Sequence, residues 1–112
     1  MDIELEELSR RLEELPLFDV RTAAEFSGEE GYPCDPQQGH IPGARHLELS
    51  ELFQLSPEEI RERVGLPEGA ELVAYCHVGS RSAMAVQVLR AAGYDARNYA
   101  GSWHEWSRRP AS

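Results

Sequence analysis

The pattern that most constrains the fold is a repeated alternation of short apolar segments with segments of helical spacing. The apolar segments read LFDV (17–20), ARHLEL (44–49), ELVAYC (71–76) and YDARNYAG (94–101). Strands separated by helices are joined by right-handed crossovers, which place them side by side in a parallel sheet with helices on its faces. The alternation therefore predicts a three-layer α/β domain.

Local signals place the helices between these segments. Leucines recur at positions 5, 8, 12 and 15 and form one apolar stripe, which Pro16 ends. Thr22 and Glu25 have the spacing of a capping box, and so do Ser56 and Glu59. A long helix is predicted within SRSAMAVQVLRAAG (80–93), packing through either Met84, Val88 and Ala91 or Ala85, Val86, Leu89 and Ala92. SWHEWSRR (102–109) predicts a short closing helix, with Trp103 and Trp106 in the core.

Composition excludes several classes of function. The chain of 112 residues carries a net charge of −9, which disfavours nucleic-acid binding. Lysine is absent, which excludes Schiff-base chemistry and a P-loop lysine. No apolar run is long enough to span a bilayer, and the acidic N-terminus does not resemble a signal peptide, so we expect a cytoplasmic protein without membrane contact. The two cysteines fit a reducing compartment.

AYCHVGSRS (74–82) is the stretch with most chemical content, because Cys76 ends an apolar strand just before a predicted helix. Backbone N–H groups of such a loop, together with a helix N-terminus, can hold an anion. Gly79 supplies backbone freedom in the turn. A free thiol with a pKa near 8.5 is only about 3% thiolate at pH 7, so these groups could activate it. From the residues alone, Cys76 is equally consistent with a buried core cysteine.

Four segments, LFDVRTAAEF, GHIPGARHLEL, LVAYCHVGSRS and YAGSWHEW, occur in the order found in rhodanese-like domains. The chain resembles a single-domain rhodanese, a sulfurtransferase, over about residues 15–108. The resemblance implies one domain over residues 1–112, with a central, mostly parallel, five-stranded sheet flanked by helices.

The resemblance also implies a mechanism. Cys76 would take sulfane sulfur from a small anionic donor such as thiosulfate and pass it, as a persulfide, to cyanide, a thiol or a protein acceptor. The loop after it would bind the sulfur and the donor, and no cofactor or metal is implied. We call residues 76–82 the cysteine loop; its predicted binding residues are His77, Val78, Gly79, Ser80, Arg81 and Ser82.

Loop length separates the competing activities. Four residues lie between Cys76 and Arg81, as in rhodaneses, whereas related phosphatases and arsenate reductases have five. The shorter loop suits a single sulfur atom and disfavours phosphate. A non-catalytic module that carries sulfur or binds a partner is the remaining alternative, although such modules often lack the cysteine.

Several individual roles stay open. Arg81 could attract the donor or form a structural ion pair, and His77 could guide the donor or face solvent. Ser82 could donate a hydrogen bond or cap the helix. Arg21 is expected to pair with Glu25 rather than act in catalysis, and His40 is expected to order a turn.

The chain departs from the family pattern at residues 27–38, which we call the insertion. It could carry partner specificity, although an inert surface loop is the favoured interpretation. Cys34 within it could resolve the persulfide as a disulfide, but its acidic neighbours make it a poor nucleophile. Cys34, Asp35, His40 and His46 lack a recognised metal-ligand spacing, so no metal site is predicted.

Overall fold

The computed structural model describes residues 2–109, and in this range one sheet of four parallel strands forms the centre of the domain. The strand order is β2-β1-β3-β4, so β1 and β3 lie in the middle. Phe18 pairs with Ala74 across these two strands. The strands are β1 (Leu17–Asp19), β2 (Arg45–His46), β3 (Glu71–Tyr75) and β4 (Asp95–Asn98).

Six helices connect and flank these strands within the described range, and the local capping signals locate two of them correctly. The side chains of Thr22 and Ser56 each accept a hydrogen bond from the backbone of a glutamate three residues on, and both capping boxes are complete. The helices are α1 (Leu5–Arg10), α2 (Ala23–Ser27), α3 (Leu49–Leu52), α4 (Pro57–Val64), α5 (Ser80–Ala91) and α6 (Ser102–Trp106).

The two faces of the sheet carry separate apolar clusters, which confirms the predicted three layers. Phe18 and Ala74 point to a cluster that α3, α4 and α5 cover. Leu17 and Val73 alternate to the other face, where α1 and α6 pack, including Trp103 and Trp106. The buried apolar positions of α5 are Ala85, Val86 and Leu89, and its C-cap Ala92 is also buried, which is the second of the two predicted faces.

The sheet has four strands in residues 2–109, so the expectation of five strands is wrong. Among the described residues, the segment before α1 reaches β4 through an isolated bridge between Asp2 and Asn98, and α1 begins at Leu5. The predicted strand ARHLEL is also shortened to Arg45–His46. Its partner β1 ends at Asp19, after which Thr22 caps α2.

Among the described residues, the helices are too short and too polar to cross a bilayer.

Candidate active site

Cys76 directly follows β3, at the carboxyl end of a central strand, and its side chain is fully buried. Its Sγ atom accepts hydrogen bonds from the backbone N–H groups of Gly79 and Ser82, at 3.1 and 3.3 Å. The Ser82 hydroxyl lies 3.3 Å from the same atom. Burial alone would raise the pKa of the Cys76 thiol, but the hydrogen bonds from Ser82 and the loop backbone outweigh it and lower the pKa. The loop thus favours a thiolate.

The end of β4 and the start of α6 hold this loop in place. Ser102 Oγ accepts the Cys76 N–H at 3.0 Å, from a backbone with φ of +54° that non-glycine residues rarely adopt. Asn98 Oδ1 lies 2.7 Å from the Ser82 hydroxyl, whose single proton can go to this oxygen or to Cys76 Sγ, and the Asn98 amide donates to the Gly79 carbonyl at 3.2 Å. Sequence reasoning missed both Ser102 and Asn98, although they flank the YAG of the noted YAGSWHEW segment.

Gly79 is the position at which the loop turns into α5. Its φ is +94°, and a Cβ there would lie 2.6 Å from the carbonyl oxygen of Ala100. Both the conformation and the close backbone approach therefore require glycine. Gly79 is also the N-cap of α5, so the prediction of Ser82 as a helix cap is wrong: Ser82 lies inside α5 and bonds to Cys76.

Arg81 forms a two-pronged ion pair with Glu25, with N–O distances of 2.8 and 3.0 Å. Burial opposes ionisation of Glu25, but the bonds from Arg81 and Thr22 lower its pKa to about 2. The structural ion pair that the sequence left open for Arg81 is therefore present, and attraction of a donor stays a prediction.

The expected pair between Arg21 and Glu25 is wrong. Arg21 instead binds Asp19, at 2.6 Å, and both side chains are almost fully buried. The Asp19 carboxylate also accepts the Arg21 backbone N–H at 2.9 Å, which closes a tight local pair at the end of β1. Arg81 is paired with Glu25, so Asp19 and Glu25 each form an ion pair with a different arginine.

A model of the rhodanese-like domain matches residues 4–109. This match covers nearly the whole chain, including the loop that follows β3. The chain belongs to the rhodanese-like family. It is 39% identical over 106 residues to the thiosulfate sulfurtransferase of Corynebacterium glutamicum, an alignment covering 82% of this chain and 35% of that protein. The chain thus spans little more than a third of such relatives.

The likeness extends at similar length to a human protein sequence and to a human solved structure. The human thiosulfate:glutathione sulfurtransferase is 37% identical over 99 residues, which cover 80% of this chain and 76% of that protein. The solved structure of the human single-domain sulfurtransferase TSTD1 superposes with a TM-score of 0.74 at 33% identity, covering 98% of this chain and 97% of that one.

The other predicted binding residues of the cysteine loop differ in exposure. Val78 and Ser80 are exposed, as binding residues at the mouth of a site would be. His77 is buried, so the alternative in which it faces solvent is wrong. Its ring stacks on Tyr32 of the insertion at 3.8 Å, and its Nε2 atom lies 2.8 Å from Asp35 Oδ2. A role in guiding the donor stays a prediction.

The insertion is in contact with the rest of the domain. Besides the contacts of Tyr32 and Asp35 with His77, the Gln37 carbonyl accepts the Trp103 indole N–H at 3.0 Å. His40 bonds the Phe26 carbonyl at 2.8 Å and stacks on its ring, so its predicted role in ordering a turn is confirmed. The insertion is therefore anchored against the cysteine loop and the start of α6.

Proposed function

We propose that this rhodanese-like chain is a thiosulfate sulfurtransferase that carries sulfur as a persulfide on Cys76. The observation that carries the proposal is the set of N–H and O–H groups directed at Sγ of Cys76. Such donors stabilise a sulfur anion, whether it is the thiolate or the terminal sulfur of a persulfide. The named activity of the human and bacterial relatives supports the same reaction.

In the first step, the Cys76 thiolate attacks the outer sulfur of thiosulfate. A new S–S bond forms, the S–S bond of thiosulfate breaks, and its electron pair leaves with sulfite. The enzyme is left with a persulfide whose terminal sulfur is negative. The backbone of the cysteine loop is available to hold this sulfur, and Val78, Ser80 and Arg81 line the approach that we propose for the donor.

In the second step, cyanide or a thiolate attacks the outer sulfur of the persulfide. The S–S bond to Cys76 breaks, its electron pair returns to the Cys76 sulfur, and the product is thiocyanate or a new persulfide. A thiol of a protein is an acceptor of the same chemical class. Two displacements at one cysteine thus complete the cycle, and we propose that they require no cofactor.

Access to Cys76 requires local motion, because the residue is 0% exposed. The buried thiol is shielded from water, which strengthens the hydrogen bonds that it accepts. A donor must displace neighbouring atoms to reach Sγ. We propose that the loop opens at Val78 for this step, since Val78 is exposed and lies two residues after Cys76.

We further propose that residues 1–112 act as one domain, with a core at about 15–108, in the cytoplasm. Two apolar clusters on one sheet support a single folding unit. Both cysteines are free thiols, which fits a reducing compartment.

The test is formation of thiocyanate from thiosulfate and cyanide, measured with a chelator present. The wild-type chain is expected to turn over many times, and Cys76→Ser is expected to have no activity above the uncatalysed reaction. Cys34→Ser is the matched cysteine control and should still form thiocyanate. Release of phosphate from an aryl phosphate without any sulfur transfer would instead identify a phosphatase and overturn the proposal.

A further inference from the structure

The insertion and the cysteine loop bring together four side chains of the kinds that bind transition metals. Cys34, Asp35, His77 and His104 each present one ligand atom, and these atoms all lie within 4.8 Å of one another. Cys34 and Asp35 belong to the insertion, His77 follows the catalytic cysteine, and His104 lies on α6. We propose that these four residues form a binding site for one zinc ion, independent of the sulfur-transfer chemistry.

The geometry of Asp35 and His77 is suited to a cation shared between the two side chains. Their Oδ2 and Nε2 atoms are only 2.8 Å apart, yet neither atom makes a hydrogen bond of acceptable direction. The Asp35 side chain is 1% exposed, so solvent does not satisfy its oxygen. Buried polar atoms without partners are rare and costly, and a shared cation would satisfy both atoms at once.

The four donor atoms lie within 4.8 Å of one another, so small shifts give tetrahedral spacing: Asp35 Oδ2 and His77 Nε2 must move slightly apart, and the other atoms must move closer. Asp35 Oδ1 lies 3.9 Å from Cys34 Sγ and 3.5 Å from His104 Nδ1. A tetrahedral zinc ion with bonds of about 2.0–2.3 Å places its ligand atoms roughly 3.3–3.7 Å apart. Cys34 is exposed and His104 is partly exposed, so both can move inward without disturbing the core.

The chemistry of the ligand set points to zinc. One thiolate, two imidazoles and one carboxylate match its preference for sulfur and nitrogen donors with tetrahedral geometry. Two negative ligands neutralise the ion, and binding releases the Cys34 thiol proton to solvent. Neither His40 nor His46 joins the cluster, since their rings bond the Phe26 and Arg21 carbonyls. The proposed site therefore differs in both histidines from the set of Cys34, Asp35, His40 and His46, in which no metal site was predicted.

Arg108 gives the proposal a distinctive consequence. Its guanidinium lies 2.8 Å from Asp35 Oδ1 and 3.1 Å from His104 Nδ1, and it also bonds the Cys34 carbonyl. This cation competes with zinc for the lone pair of His104 Nδ1 and must withdraw from that atom when the ion binds; its side chain is 35% exposed, so it can. Removing Arg108 should therefore strengthen zinc binding, whereas a purely structural polar cluster predicts no such gain.

The test uses the full chain with cobalt(II) as a spectroscopic probe and zinc as competitor. One equivalent of cobalt should give a thiolate-to-cobalt charge-transfer band with visible absorption typical of tetrahedral coordination, and zinc should displace it. The band should disappear in Cys34→Ser and persist in Cys76→Ser. This pair separates the site from adventitious binding at the catalytic thiol, and its outcome does not depend on sulfur transfer.

Zinc affinities of three further variants complete the test. His104→Asn should weaken zinc binding by at least about tenfold. Losing a residue that only hydrogen-bonds to a metal ligand already lowers metal affinity roughly 10- to 100-fold. His40→Asn is the matched histidine control and should retain the affinity, and Arg108→Ala should raise it. The thermal midpoint of the wild-type chain should rise with zinc concentration. Any of three results would overturn the proposal. They are a cobalt band that depends on Cys76 instead of Cys34, equal zinc affinities of the wild type and His104→Asn, and weaker zinc binding by Arg108→Ala.

Discussion

The cysteine loop and the insertion each present one cysteine, and their surroundings are opposite in character. Cys76 is buried and its Sγ receives N–H and O–H groups from the loop. Cys34 is exposed, and its Sγ lies 3.9 Å from a carboxylate oxygen of Asp35, an acceptor that only a protonated thiol can satisfy. The comparison teaches that donors directed at sulfur, and not exposure of the thiol, distinguish the proposed nucleophile.

The largest difference between the two regions is expected when one glycine in each is replaced by alanine. In Gly79→Ala, the new Cβ would contact the Ala100 carbonyl at 2.6 Å in a backbone with positive φ. The loop must shift, and a displacement of about 1 Å at a reacting group can cost roughly 100-fold in rate. We therefore expect thiocyanate formation to fall by about two orders of magnitude.

Gly31→Ala is the matched substitution in the insertion. There the new Cβ meets only the end of the flexible Gln38 side chain, and φ is not in the left-handed region. The free energy of unfolding should change by no more than about 0.5 kcal/mol. Equal losses of activity in the two alanine variants would contradict the account of the cysteine loop.

A smaller effect is expected when one donor to Cys76 is removed. Ser82→Ala deletes the hydroxyl 3.3 Å from Sγ and keeps the backbone N–H. Loss of a hydrogen bond to a charged sulfur should raise the pKa of the Cys76 thiol, and at pH values below the pKa of both proteins it should slow alkylation about tenfold. The pH dependence of Cys76 alkylation, measured with a chelator present, checks this. The alkylation rates of the wild type and of Ser82→Ala should converge at pH values above the Cys76 pKa of both proteins.

Ser27→Ala serves as the control for that experiment, because its exposed hydroxyl bonds only the Ala24 carbonyl and a nearby backbone N–H. Its alkylation profile should match that of the wild type. If Ser82→Ala also matched the wild type, the hydroxyl would have no part in stabilising the thiolate.

The smallest expected effect concerns the ion pair that joins α2 to the cysteine loop. Glu25 has its pKa lowered from 4.5 to about 2 in the folded chain, where burial opposes ionisation but the bonds from Arg81 and Thr22 prevail. Its contribution to stability is therefore complete above pH 4.5 and is lost as pH falls through about 2. Because the Arg81 side chain is 28% exposed, solvent screening leaves a contribution of about 1–2 kcal/mol.

Glu25→Gln should therefore lower the free energy of unfolding by about 1–2 kcal/mol at pH 7, with a difference that shrinks below pH 4.5. Urea unfolding at several pH values measures this. Glu30→Gln, an exposed carboxylate of the insertion, should stay within about 0.5 kcal/mol of the wild type. A difference for Glu25→Gln that did not depend on pH would exclude the ion pair as its source.

These contacts also show which features could be predicted from the sequence. Both capping boxes were predictable because each joins residues three positions apart, and the placement of Cys76 at the carboxyl end of a central strand was predictable because an apolar run leads directly to it. The pairing of Glu25 with Arg81 joins residues 56 positions apart, and that of Ser82 with Asn98 joins different elements. Only the folded sheet brings such residues together, so local spacing assigned Glu25 to Arg21 and missed Asn98.

The central claim is that the donors of the cysteine loop direct sulfur to Cys76 and not to the more accessible Cys34. The most direct test is to incubate the wild-type chain with thiosulfate in the presence of a chelator, and to locate the added sulfur by peptide mass analysis. The account predicts one added sulfur atom on the peptide that contains Cys76 and none on the peptide that contains Cys34. Sulfur on Cys34, or on neither cysteine, would contradict it.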